Sequence, residues 1–167
     1  MLYTGGTTGM PKGTMWRHED IFFGALQGGA ATGGAHIRAP EEIVERVRTG
    51  FALSTVCPPP MMHGGGMWNA LITMYSGGKF VLSSRRENVM HELAHFQPTT
   101  LNGVPYFFEK IYASLAAKDL LQTPGALQSV LGGKMRFCNS GGASLPPHLY
   151  DFYDAQGVPL CEGYGLS

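Results

Sequence analysis

The residues with the clearest chemical potential lie between positions 3 and 13, where the sequence reads YTGGTTGMPKG. Glycines let backbone N–H groups approach an anion closely and adopt positive φ angles. Consecutive N–H groups in such a turn form a concave anion-binding site. The threonines add hydroxyl donors, and Lys12 adds a positive charge. The combination predicts a phosphate-binding loop; a glycine-rich surface loop that binds nothing is the alternative.

The loop is not a P-loop of the Walker A type. That motif requires a Gly-Lys pair followed by Ser or Thr, whereas here Pro11 precedes Lys12 and Gly13 follows it. Proline removes an N–H donor and restricts the residue before it to extended geometry, so no ordinary helix runs through the lysine. The pattern therefore favours a flexible loop that wraps phosphate over a strand–loop–helix cradle.

In their order, residues 4–13 resemble the signature loop of the adenylate-forming (ANL) superfamily. This superfamily contains acyl-CoA synthetases, luciferases and the adenylation domains of peptide synthetases. All positions from Thr4 to Gly13 fit its pattern. The resemblance implies that the loop binds ATP and that Thr7 and Lys12 also act in catalysis. The implied ATP-binding residues of the loop are Thr4, Gly5, Gly6, Thr7, Thr8, Gly9 and Lys12.

Three further segments resemble motifs of the same superfamily, in the same order along the chain. Ser140–Ala143 reads SGGA, like the adenine-pocket turn, and residues 163–167 read GYGLS, like a motif whose tyrosine stacks on adenine. Taken alone, the first segment favours an unliganded turn, whereas the tyrosine of the second is equally well explained as a packed core residue. Residues 60–64 resemble a segment that lines the acyl pocket. The implied nucleotide-binding residues are Gly141, Gly142, Ala143, Gly163, Tyr164, Gly165 and Ser167, with Ser167 also catalytic; His63 and Gly64 are the implied substrate-binding residues.

The resemblance is closest to fatty-acyl-CoA ligases, and it covers the whole chain. It implies ATP, Mg²⁺ and CoA as cofactor and cosubstrates and a fatty or related carboxylic acid as substrate. Ser167 replaces the usual threonine but keeps the hydroxyl. The glutamate that binds Mg²⁺ in the superfamily, the ribose-binding aspartate and the small C-terminal domain with its lysine have no counterpart. We therefore expect residues 1–167 to be a central fragment of the AMP-binding large domain that is inactive without the rest of that domain.

Apolar periodicity predicts strands and helices that alternate from residue 51 to residue 161. Such alternation indicates an α/β fold with a layered, mainly parallel sheet and helices on both faces. Ligands of such sheets bind beyond the carboxyl ends of the strands, where the SGGA and GYGLS segments fall. The predicted strands are 51–57, 79–83, 99–103, 135–139 and 158–161, and the predicted helices are 17–31, 41–48, 67–75, 87–96, 105–118, 126–131 and 146–155.

A rival motif lies at His91–His95, which reads HELAH and fits the H-E-x-x-H zinc pattern. On a helix, this spacing places two histidines on one face, and Glu109 is a conceivable third ligand. A zinc peptidase is therefore one alternative, and a non-catalytic nucleotide- or acyl-binding remnant is another. A solvated helix face without metal is the simplest interpretation, and we expect no stoichiometric zinc. His18, His36 and His148 are predicted to be surface residues.

Composition narrows the function classes. The chain has 167 residues, 44% of them hydrophobic and 14% charged, with a net charge of zero. A neutral chain offers no electrostatic case for nucleic acid or an anionic membrane as partner. No apolar run reaches the length of a membrane span, and no signal peptide is visible, so we expect a cytoplasmic protein. Cys57, Cys138 and Cys161 are predicted to be buried, reduced thiols in strands.

Overall fold

The computed structural model describes residues 2–4, 9–26, 28, 35–49, 52–83 and 85–165. The described chain divides into two units. The first contains the described residues up to 53 together with 60–80, and the second contains residues 54–59 together with the described residues from 81 onward. Each unit is described by itself.

The first unit begins with two short strands that the periodicity did not predict. Strand β1, Leu2–Thr4, pairs antiparallel with β2, Lys12–Thr14, with Thr4 opposite Lys12. A short helix α1, His18–Asp20, continues into the π-helical turn Ile21–Ala25. The predicted helix from 17 to 31 is thus observed only as far as Ala25, and its remainder includes residues 27 and 29–31, which lie outside the described part.

Two further helices complete the first unit. Helix α2, Pro40–Arg48, begins one residue before the predicted 41–48, with proline in its first turn, where no N–H donor is needed. Helix α3, Gly64–Tyr75, begins earlier than the predicted residue 67. The reason is that the carbonyl of His63 accepts from the N–H groups of both Gly66 and Met67, at 3.1 Å each.

The second unit contains most of a five-stranded sheet, whose strands follow the order β4-β3-β5-β6-β7; residues 79 and 80, at the start of β4, are counted with the first unit. Its pairs β3–β5, β5–β6 and β6–β7 are all parallel. Strand β4 lies beside β3, and just after β4 the Ser83 N–H donates to the carbonyl of Cys57, the last residue of β3, at 3.2 Å. This arrangement confirms the α/β class with a mainly parallel sheet. The strands are β3 Ser54–Cys57, β4 Lys79–Leu82, β5 Thr100–Gly103, β6 Phe137–Gly141 and β7 Leu160–Gly163.

Helices connect these strands and bury their apolar faces in one core. A 3₁₀ turn, Arg86–Asn88, leads into α4, Val89–Phe96. The other helices of the unit are α5 Pro105–Ala116, α6 Ala126–Val130 and α7 Pro147–Ala155. The core contains Leu101 and Cys138 from the sheet with Phe108, Leu149 and Tyr153 from the helices, all fully buried. In the described chain, no helix combines the length and the apolar character that crossing a membrane requires.

Two predictions about the strands are corrected. Strands β6 and β7 both lie two residues later than predicted, so Ser140, Gly141 and Gly163 belong to strands and not to the turns after them. Cys57 and Cys138 are buried as predicted, but Cys161 is exposed. In the described sheet, β7 pairs only with β6, so its other edge has no neighbouring strand to cover it.

Two neighbouring glycines between α6 and β6 give a test of the packing. Both have positive φ, +94° for Gly132 and +85° for Gly133. A Cβ on Gly132 would lie 2.3 Å from the carbonyl oxygen of Leu93, whereas one on Gly133 would meet nothing within 4 Å. We expect Gly133→Ala to lower the free energy of unfolding by about 1–2 kcal/mol through backbone strain alone. Gly132→Ala should lower the free energy of unfolding by about 1–3 kcal/mol more than Gly133→Ala does, because the added methyl group would overlap the carbonyl of Leu93.

Urea unfolding of the two variants beside the parent chain measures this difference. Because both substitutions add the same methyl group at a similar backbone conformation, Gly133→Ala is the matched control. Equal destabilisation by the two would contradict the close approach of residues 132 and 93.

Candidate functional site

The predicted phosphate loop is bracketed by the hairpin of β1 and β2. The register pairs Thr4 with Lys12, so both ends of the segment 5–11 are fixed by backbone pairing. Gly9 has φ +145°, a conformation that favours glycine, and it is exposed. Lys12 is exposed on β2. Gly5, Gly6, Thr7 and Thr8 lie outside the described residues.

Sequence reasoning treated this segment as a loop and missed the two strands around it. The signal was weak because each strand has only three residues. Tyr3, Thr4 and Thr14 are residue types enriched in strands, and their placement on either side of the glycines is the one cue that was available.

The predicted substrate residues lie at the start of α3. His63 caps this helix in an extended conformation, with φ −99° and ψ 151°, and its side chain is exposed. Gly64 is the first helical residue, and a Cβ there would lie 2.9 Å from the indole Nε1 of Trp68. The absence of a side chain at Gly64 therefore lets Trp68 lie against the first turn.

The two glycine-containing motifs of the second unit meet at the carboxyl edge of the sheet. Gly141 and Gly163 are partners in the β6–β7 register, and a Cβ on Gly141 would lie 3.3 Å from the carbonyl oxygen of Gly163. Gly142 follows with φ +83°, which favours glycine. Ala143 comes next and is exposed. Close backbone packing therefore accounts for the glycine at 141, and the turn accounts for the glycine at 142.

Tyr164 follows β7 directly and has 95% of its surface exposed. The alternative of a packed core tyrosine is therefore wrong. Gly165 is exposed as well, and a Cβ there would meet nothing within 4 Å. An aromatic ring with free faces beside open backbone can stack on a flat ligand such as a nucleobase. Ser167 lies outside the described residues.

Polar contacts that sequence reasoning did not identify tie this edge together. The amide of Asn139 donates to the side-chain oxygen of Asn102 at 3.0 Å, which links β6 to β5. The hydroxyl of Tyr150 on α7 donates to the carboxylate of Glu162 on β7 at 2.6 Å. This hydrogen bond is the main cause that raises the pKa of Tyr150 to about 12, with smaller contributions from desolvation and from the charge of Glu162.

The H-E-x-x-H histidines lie on α4, and both are exposed. The rings of His91 and His95 are nearly parallel, with centroids 6.1 Å apart. Nowhere in the described chain do three or more His, Cys, Asp or Glu residues come together to hold a metal ion, so Glu109 does not complete a zinc site. Neither a zinc-peptidase site nor a protein cage for Mg²⁺ is formed by the described residues. His18, His36 and His148 are exposed, as predicted.

Comparison with known proteins confirms the resemblance to the superfamily over the whole chain. The family model of the AMP-binding enzymes matches residues 1–167. A medium-chain acyl-CoA ligase, Mig, of Mycobacterium avium is 39% identical over 46% of this chain and 14% of its own length. Long-chain-fatty-acid–CoA ligase 2 of Schizosaccharomyces pombe is 25% identical over 99% of this chain and 28% of its own length.

Solved structures show the same fold. The anthranilate CoA ligase AuaEII, in complex with anthranoyl-AMP, superposes with a TM-score of 0.68 at 25% identity, over 99% of this chain and 28% of that one. The chain thus spans between 14% and 28% of the length of these three proteins. Because the family model matches from the first residue to the last, this chain belongs to the AMP-binding enzyme family.

Proposed function

We propose that this chain carries part of the adenylation centre of an AMP-forming acyl-CoA ligase that activates a fatty or related carboxylic acid. The observation that carries the proposal is the glycine edge, at which Gly141 and Gly163 are paired and the ring of Tyr164 lies open at the strand end. The names of the relatives support the ligase class, and the anthranoyl-AMP in AuaEII is itself an acyl-adenylate.

In the proposed reaction, a carboxylate oxygen of the acid attacks the α-phosphorus of ATP. The bond from this phosphorus to the leaving pyrophosphate breaks, which gives the acyl-adenylate. The thiol of CoA then gives up its proton to solvent and attacks the acyl carbonyl carbon; AMP leaves with the electron pair of the acyl–oxygen bond, and the thioester remains. Enzymes promote such phosphoryl transfers mainly by positioning and by stabilising charge.

Each predicted site residue has a role in this proposal. The loop residues Thr4–Gly9 offer backbone N–H groups and hydroxyls to the phosphates, and Lys12 offers a positive charge. Gly142 and Ala143 allow adenine to lie against bare backbone, and Tyr164 stacks on it. His63 and Gly64 border the acyl group, and the hydroxyl of Ser167 reaches phosphate. The described residues do not bring together a set of ligands for Mg²⁺, so none of them has a role in binding it in this proposal.

We also propose that residues 1–167 act as the central part of a larger AMP-binding domain. This proposal is supported by coverage: the chain matches only 14% of the length of the Mycobacterium avium ligase and 28% of the length of the Schizosaccharomyces pombe ligase. On this basis, the glycine edge and the hairpin loop need the remaining segments to complete nucleotide binding and catalysis.

The first prediction of this proposal concerns activity. The 167-residue chain should bind ATP no more tightly than about 1 mM, roughly −4 kcal/mol, because the cost of ordering a glycine-rich loop nearly cancels the gain from its contacts. It should show no carboxylate-dependent exchange of pyrophosphate into ATP. A longer protein that supplies the flanking segments of the relatives should show exchange with fatty or aryl acids.

Lys12→Ala in the longer protein should lower kcat/KM for exchange by about 10- to 150-fold, which corresponds to a charge-assisted contact of roughly 1.5–3 kcal/mol. Lys118→Ala is the matched control, since Lys118 is exposed, follows α5 and belongs to none of the predicted motifs. Exchange that is equally fast in both variants would argue against the loop as the phosphate site.

The second prediction concerns Tyr164 in the same exchange assay. Stacking of one base is worth about 1–3 kcal/mol, so Tyr164→Ala should raise the KM for ATP by about 5- to 150-fold. Tyr164→Phe, which keeps the ring, should change it by less than about threefold. Because the ring is 95% exposed, neither variant should shift the urea unfolding midpoint. A KM that is unchanged in Tyr164→Ala would remove adenine stacking from the proposal.

A further inference from the structure

A second potential ligand site contains none of the predicted adenylation residues. A cavity of about 360 Å³ opens between α5, α7 and the segment 121–124 of the second unit. We call it the α5–α7 cavity; its walls include Tyr112, Leu121, His148, Asp151, Phe152 and Gln156. Its volume lies at the lower end of the range of small-molecule sites. The spacing of 148, 151, 152 and 155 puts one face of α7 along the cavity.

Aromatic rings form the apolar wall of this cavity. The rings of Tyr112 and Phe152 meet edge to face, with centroids 5.0 Å apart and planes at 89°. The ring of Tyr112 also meets the ring of His148, with centroids 5.2 Å apart. These two contacts fix the position of Tyr112, since edge-to-face pairs are a favoured geometry of aromatic rings. The electron-rich face of such a ring attracts a cation.

Asp151 supplies the one carboxylate among the residues that line the cavity. The described chain provides no ion pair for it. The Nε2 of Gln156 donates to the carbonyl of Leu121 at 2.9 Å, which fixes the orientation of the amide. Its Oε1 is buried, so a ligand in the cavity cannot reach it, and Gln156 contributes only to the wall.

We propose that the α5–α7 cavity binds a small organic cation that consists of an ammonium group on a short aromatic body. The body packs against Tyr112 and Phe152, and the ammonium group donates to the carboxylate of Asp151. An anion is disfavoured because the lining contains this carboxylate and neither lysine nor arginine; His148 is the one lining side chain that can become positively charged. This site is independent of the proposed adenylation function and would be present whether or not that proposal holds.

The test uses phenethylamine, with 2-phenylethanol as the neutral analogue and phenylacetate as the anionic one. Each is titrated into the ¹⁵N-labelled 167-residue chain while the backbone amide resonances are followed. We expect phenethylamine to shift the resonances of residues 121–124 and 148–156 with a dissociation constant on the order of millimolar. Binding of the alcohol should be at least about tenfold weaker, as expected for loss of a charge-assisted hydrogen bond, and phenylacetate should cause no shift.

Matched variants locate the site. Asp151→Asn should remove the preference for the amine, whereas Asp154→Asn, an exposed change on the same helix outside the lining, should leave it intact. Ala155→Phe should fill the cavity and abolish the shifts. Ala116→Phe is its control, since Ala116 is likewise an exposed alanine at the last position of a helix but does not line the cavity. Equal thermal midpoints for the four variants verify that all of them fold.

Three results would overturn the proposal. Equal shifts by the amine and the alcohol would show binding by apolar contact only. Shifts that survive Ala155→Phe would place the ligand elsewhere. If none of the three compounds shifted a resonance, the cavity would be a hydrated surface depression that does not bind this class of ligand. None of these results bears on pyrophosphate exchange, so the two proposals fail separately.

Discussion

The parallel register of β6 and β7 is the constraint on which the glycine edge depends. Backbone pairing sets Gly141 against Gly163, and the carbonyl of Gly163 lies where any side chain at 141 would be crowded. A slip of one residue would exchange the two faces of the strand, and it would also displace the turn at Gly142 relative to Tyr164. The position of the proposed base-binding surface is therefore a property of the sheet ladder rather than of the exposed tyrosine itself.

Side-chain contacts support this ladder from two sides. The Asn102–Asn139 amide pair joins β5 to β6 across the sheet, and the Tyr150–Glu162 hydrogen bond joins α7 to β7. Because β7 has only one neighbouring strand in the described sheet, the contact from α7 supplies a second attachment for it. A site built from bare backbone gains its rigidity from such neighbours, since glycines contribute none through their own side chains.

The amino-acid sequence was sufficient to predict that strands and helices alternate. From this alternation, the parallel sheet and the edge at which the glycine-containing motifs lie could be predicted as well. The strand boundaries were not predictable, and Gln128 shows why. Its side chain donates to the carbonyl of Met135 at 2.6 Å and accepts from the Met135 N–H at 2.9 Å, so residue 135 is held by this amide instead of by the sheet. Periodicity places an apolar residue in a strand without knowledge of such a contact. The exposure of Cys161 was missed for a similar reason, because its uncovered position follows from strand order and not from local pattern.

The hairpin of β1 and β2 has a consequence for how a ligand would meet the segment between them. Paired residues of antiparallel strands keep their Cα atoms about 4.5–5.5 Å apart, so the pairing of Thr4 with Lys12 holds residues 4 and 12 close together. The loss of entropy that accompanies bringing these two residues together then belongs to folding and not to binding. Because Lys12 lies on the strand, its backbone gives a fixed origin for the positive charge that the proposed phosphate site requires.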